Sequence, residues 1–159
     1  VPILPVPGAS KDIMEIFGLF FLQMLMCVVI GTGMGAMTKS RTKSTGPRTM
    51  ILITIGAALV TIVSAEFFKG LGNPWFADPG RIAAQVVSAL GFMGTGLIWI
   101  TDSREMKRLW TAAAVWVSAI LGMLIGMGRL LLSGAVLIMV IAVVFGSDYY
   151  VHYRDNSSR

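Results

Sequence analysis

Apolar residues in this chain run in long unbroken blocks, and the polar residues gather between them. Reading from charge to charge gives five such blocks: Ile16 to Thr38, Thr49 to Ala65, Ile82 to Thr101, Leu109 to Gly128 and Leu130 to Ser147. At 1.5 Å per residue each is long enough, or nearly so, to cross ~30 Å of hydrocarbon as a helix. None shows the period-two alternation of a barrel strand, and lipid tolerates only helices or closed barrels, because stray backbone N–H and C=O groups find no partner there. The pattern predicts an all-α integral membrane bundle of about five transmembrane helices. An extended lead-in (1–15) precedes the transmembrane domain (16–150), and a short tail (151–159) follows it.

The fourth and fifth blocks meet at Arg129 alone, and as one helix they would be ~58 Å long. Gly126, Gly128, Ser133 and Gly134 allow a reversal there, with Arg129 reaching the surface. The fifth helix is then expected to carry Tyr149, Tyr150 and Tyr153 to a headgroup layer. The segment from Glu66 to Gly80, with Phe67, Phe68, Trp75 and Phe76, reads as an interfacial loop. It ends in Asp78-Pro79-Gly80-Arg81, in which Asp78 can cap the third helix, Pro79 fits its first position, and Arg81 falls within ion-pair reach of Asp78.

Composition sharpens this picture. Hydrophobic residues make up 55% and charged residues 13%, too few polar groups to cover five apolar helices in water. The net charge of +5 would suggest nucleic acid in a soluble protein; here it reflects basic loops beside a membrane, and no nucleic-acid partner is expected. Nine of the 13 basic residues (Lys39, Arg41, Lys43, Arg48, Arg104, Lys107, Arg108, Arg154 and Arg159) fall on one side of the spans. The positive-inside rule places that side in the cytoplasm, so the N-terminus lies outside and the C-terminus inside. The single cysteine, Cys27, excludes an intrachain disulfide or a thiolate cluster.

Helices in lipid associate through close packing of small side chains. The fourth span carries Ala114, Ser118, Gly122 and Gly126 at steps of four, the first carries Gly31 and Gly35 in line with Cys27, and the third crowds Gly91, Gly94 and Gly96. Three uses fit such ridges: a tightly packed monomer, a homodimer, or a face docked on another membrane protein or complex. The hydroxyls and amides within the spans (Gln23, Thr32, Thr54, Thr61, Ser64, Gln85, Ser88, Thr95, Ser118) read as interhelical hydrogen-bond partners.

Candidate chemistry is sparse. The one histidine, His152, sits in the tail, and every carboxylate falls at a helix end or in a loop. No nucleophile and base pair suggests an enzyme, and no cofactor or metal site is expected. A conduit for a hard divalent cation would want oxygen ligands along its path. An outer vestibule at Asp78, Arg81 and Gln85 is the one arrangement that suggests a small transporter or channel for an ion or polar solute.

Three segments carry a family resemblance. Thr45-Gly46-Pro47-Arg48-Thr49 with Gly56-Ala57-Ala58-Leu59, the run from Asp78-Pro79-Gly80-Arg81 through Gln85 to Gly91-Phe92-Met93-Gly94-Thr95-Gly96, and Trp110-Thr111-Ala112-Ala113-Ala114-Val115-Trp116 with Gly122 and Gly126 resemble, in this order, motifs of the MgtC/SapB membrane proteins. The resemblance implies a bacterial inner-membrane fold of about five helices. It further implies a regulatory or accessory role in magnesium limitation or acid adaptation, or in modulating an energy-transducing complex such as the proton-driven ATP synthase. It carries over Arg48, Asp78, Arg81, Gln85, Thr111 and Trp116 as functional candidates. Members often bear a cytosolic C-terminal domain, whereas only a short tail follows the fifth block here. Met37-Thr38-Lys39 stands where the family places a charged stretch, and Met50 where it has a histidine.

Overall fold

The computed structural model describes residues 9–42, 46–70, 80–98 and 105–157. They form five helices: α1 (Ala9–Thr42), α2 (Pro47–Gly70), α3 (Gly80–Ile98), α4 (Glu105–Gly126) and α5 (Leu130–Ser157), with no strand among the described residues. Three contain stretches long and apolar enough to cross a membrane, Met14–Lys39, Pro47–Glu66 and Leu109–Gly126. The apolar parts of the other two, Ala84–Leu97 and Leu130–Gly146, are shorter.

Helix bounds differ from the apolar blocks where the backbone has its own reasons to continue. Helix α1 starts at Ala9, inside the expected extended lead-in, because neither proline nor glycine interrupts the chain between Gly8 and the apolar run. Pro47 opens α2, where its missing N–H costs nothing. The same helix runs on to Gly70, so Glu66 to Gly70 belong to it rather than to a loop. The cap expected from Asp78 and Pro79, and the Asp78–Arg81 ion pair, lie outside the described residues.

Helix α4 is the hub and touches all four others, with its widest contact on α2; α1 and α2 pair as extensively. Cys27, Ile30 and Met34 of α1, Met50 and Ala58 of α2, and Val115, Ala119, Leu121 and Ile125 of α4 make the buried core. Leu90 is α3's contribution, and α5 packs against this core through partly buried side chains such as Leu130 and Val140. The perimeter is as apolar as the core. Phe17 and Phe21 on α1, Leu52 on α2, Phe92 on α3 and Leu131 on α5 are all exposed, Leu131 to 92%, an arrangement suited to hydrocarbon rather than water.

The α4–α5 reversal takes three residues. Gly128 adopts φ +75°, its N–H donates to Ile125 O at 2.9 Å, and the Arg129 N–H donates to Leu124 O at 2.9 Å. This pairing of a short and a long backward bond around a left-handed glycine is the Schellman ending. The first bond of α5 follows at once, from the Ser133 N–H to Arg129 O at 3.0 Å.

Candidate functional site

Glycine decides how closely α2 approaches its neighbours. A Cβ on Gly31 would stand 2.6 Å from Ile51 Cα, and one on Gly35 would collide with Pro47 Cα. On α4, a Cβ on Gly122 would collide with Thr54 O, and one on Gly126 would come within 2.6 Å of Ala58 O. All four glycines therefore lie against α2 backbone, and α2 is clasped from two sides. The partners rise together along α2 and α4 (54 with 122, 58 with 126) and run oppositely along α1 (51 with 31, 47 with 35). Accordingly α2 is parallel to α4 and antiparallel to α1. Ala114 and Ser118 are buried on α4, and the Ser118 hydroxyl lies 3.5 Å from Met50 Sδ. The ridges of the first and fourth spans are thus used within the chain.

The third helix differs. Gly94 is buried, with Ala112 Cβ 3.9 Å from its own would-be Cβ, whereas Gly91 and Gly96 are exposed and a Cβ on either would meet nothing within 4 Å. Among the described residues Gly91 and Gly96 therefore make no close helix contact, contrary to the expectation from their spacing. Steps between glycines cannot say which face of a helix has a neighbour. Gly91 instead joins Ala84, Ser88 and Thr95, at steps of four, three and four, in an exposed stripe of small residues.

The hydroxyls also depart from expectation. Thr32, Thr38, Thr54, Thr61, Ser88 and Thr95 each donate to the carbonyl four residues back on their own helix, at 2.6 to 3.2 Å. A short β-hydroxyl reaches that carbonyl more readily than it reaches across a helix pair. The side-chain amide of Gln23 does cross, donating from Nε2 to Ile125 O at 2.9 Å and tying α1 to the end of α4. Ser64 Oγ is buried without a hydrogen-bond partner.

The family-motif residues do not form one cluster. Arg48 is exposed on the first turn of α2, and Thr111 is buried near the start of the parallel α4, at the same end of the bundle. Trp116 is half-buried further along α4. Arg81 and Gln85 are exposed on the first turns of α3, which begins at the opposite end, and Asp78 lies outside the described residues. Among the described residues no group of three or more His, Cys, Asp or Glu side chains could hold a metal.

Sequence spacing missed an apolar groove between α2 and α3. One cavity of about 360 Å³ runs between Gly56 and Val60 on one wall and Val86 and Ala89 on the other, with Ala119 of α4 beneath. A second, of about 250 Å³, continues it past Gly96 and Leu97 over Val115. Both share Thr49, Ile53 and Met93. Neither Arg81 nor Gln85 lines them. The small residues Gly56 and Ala89, facing each other, were the available signal.

Several proteins of related sequence bear on this geometry. The chain is 36% identical over 130 residues to "Putative magnesium transporter YhiD" of Escherichia coli (strain K12), covering 79% of this chain and 60% of that protein. It is 36% identical over 110 residues to protein MgtC of Salmonella typhimurium (strain 14028s), covering 69% of this chain and 44% of the relative. An uncharacterized protein of Haemophilus influenzae is 34% identical over 113 residues, 69% of this chain and 48% of its own length. The chain therefore spans about half the length of these curated relatives. No solved structure matches it. The MgtC family profile matches residues 24–152, which take in the clasped α1–α2–α4 core, the α3 edge and most of α5, and the chain belongs to the MgtC family.

Proposed function

We propose that this chain is a multi-pass protein of the bacterial inner membrane that acts as a regulatory or accessory component, by docking a helix face on a partner membrane complex. It works without enzymatic chemistry, in magnesium limitation, acid adaptation or the control of an energy-transducing complex. One observation carries the reading: the ridges of α1 and α4 are filled by α2, while the stripe Ala84, Ser88, Gly91 and Thr95 on α3 is small, exposed and unfilled. In lipid such a stripe is where another helix can approach closely. The exposed apolar perimeter supports the membrane setting, and the basic residues near the ends of α1, α2 and α4 support a cytoplasmic position for that end.

Purification in mild detergent tests this reading. A membrane complex should co-isolate with the wild type and be lost from Gly91→Leu, while the variant's own folding stays intact. A lone protein in both preparations, with every membrane complex unaffected by deletion, would refute docking.

A small transporter remains the second reading, favoured by the name that the relative YhiD carries and by the loose seating of α3, which touches α2 far less than α4 does. Magnesium would want several oxygen ligands, whereas most hydroxyls here serve their own helix carbonyls. Magnesium flux into proteoliposomes that disappears in Arg81→Ala would establish this reading over the first.

A further inference from the structure

We infer that the α2–α3 groove is a binding site for an anionic phospholipid, with an acyl chain lying in the groove and the headgroup at Arg48. The inference rests on the membrane setting proposed above, but not on partner docking, which uses a different face of α3. Three features select this occupant.

The first is length. The groove runs from Thr49 to Val60 along α2, eleven residue steps or ~16 Å, about half of a ~30 Å hydrocarbon core. That is the depth reached by an acyl chain from one leaflet, and half of what a spanning helix would cover. The second is lining. The walls at Gly56, Val60, Val86 and Ala89 are apolar and small or branched, a surface against which a flexible acyl chain can pack.

The third is charge at one mouth. Arg48, Leu52 and Gly56 recur at steps of four, so the exposed Arg48 lies one turn beyond Leu52 on the stripe of α2 that lines the groove. Lys39, exposed near the end of α1, belongs to the same end of the bundle. Basic residues at the mouth of an apolar cleft between helices are the arrangement that holds an anionic headgroup. A guanidinium also offers a fork of donors that matches phosphate oxygens.

Native mass spectrometry of the detergent-purified full chain tests the site, with dioleoyl phosphatidylglycerol and dioleoyl phosphatidylcholine as probes, which share acyl chains and differ in headgroup. The wild type should retain phosphatidylglycerol about five-fold better than phosphatidylcholine, the increment of one basic contact. Arg48→Gln should equalise the two lipids without abolishing retention. Gly56→Phe, whose added side chain enters open space in the groove, should lose both, and Ala89→Phe, filling it from the α3 side, should do the same if Gly56→Phe folds poorly. Equal retention by the wild type, full retention by both groove-filling variants, or a second copy of the chain taking the place of lipid would each overturn the inference. A wild type that co-isolates with no partner while its lipid retention is as expected would count against the docking reading alone.

Discussion

Helices α1 and α3 both flank α2, yet they meet it by opposite means. On the α1 side, as on the α4 side, glycines press against α2 backbone, and there is no room for a methyl group. On the α3 side a groove remains, lined in part by Gly96, and α3's Gly91 has no described neighbour within 4 Å of where its Cβ would stand. The difference teaches that glycine in a membrane helix has two meanings: a contact already made inside the chain, or a surface kept smooth for something outside it. The tight side holds the bundle together, and the open side is where the proposed lipid and partner would have access.

Substitutions can break this contrast in graded fashion. Gly122→Leu should have the largest effect, because its side chain would have to displace the Thr54 carbonyl. A loss of about 3 kcal/mol or more is expected, read as disappearance of folded, monodisperse protein from detergent extracts. A wild-type yield would mean that α2 and α4 are not in backbone contact. On α1, Gly31→Ala should cost about 1–3 kcal/mol in a denaturant titration, since Ile51 must shift. Gly33→Ala, two residues away with nothing within 4 Å, should cost nothing measurable. If the two alanines behave alike, the clasp is not the source of stability. Gln23→Leu removes the amide bond to Ile125 O, but that carbonyl keeps the Gly128 N–H, so about 0.6 kcal/mol is expected in the same titration. The smallest effect belongs to the open side: Gly91→Leu should change stability by less than about 0.5 kcal/mol while removing the partner. A large loss of stability there would show that α3 is held as tightly as α1.

How much of this was legible in the sequence follows from what each signal encodes. Block length and the absence of alternation locate the helices, and the glycines around Arg129 locate the reversal, because both are local properties of the chain. The ridge through Ser118, Gly122 and Gly126 was legible as a ridge, but its partner was not. A repeat of four marks one face of a helix and says nothing of what lies opposite. Gly91 and Gly96 failed for the same reason. The hydroxyls of Thr54 and Thr61 were misread because residue type does not distinguish a bond within the helix from one across it. Neither did any single residue announce the α2–α3 groove, which exists only once Gly56 and Ala89 face each other. Of the residues carried over by resemblance, Arg48 and Thr111 come to one end of the bundle and Arg81 and Gln85 to the other. Of the three residues of the expected vestibule, Arg81 and Gln85 are exposed on the first turns of α3 and Asp78 lies outside the described residues.

The three-residue reversal at Gly128 bears on how the protein reaches its membrane. The last carbonyls of α4 accept N–H bonds from Met127, Gly128 and Arg129, and α5 begins only four residues after α4 ends, so the negative end of one helix dipole sits beside the positive end of the next. Little net field and few bare carbonyls remain at this tip. In the proposed bilayer setting, Arg129 is the main electrostatic obstacle to carrying the α4–α5 pair through as one hairpin. Insertion-based scales put such an obstacle at about 2.5–3.5 kcal/mol at mid-membrane. The last two helices are thereby suited to enter together, with Arg129 the one charge that their tip has to carry.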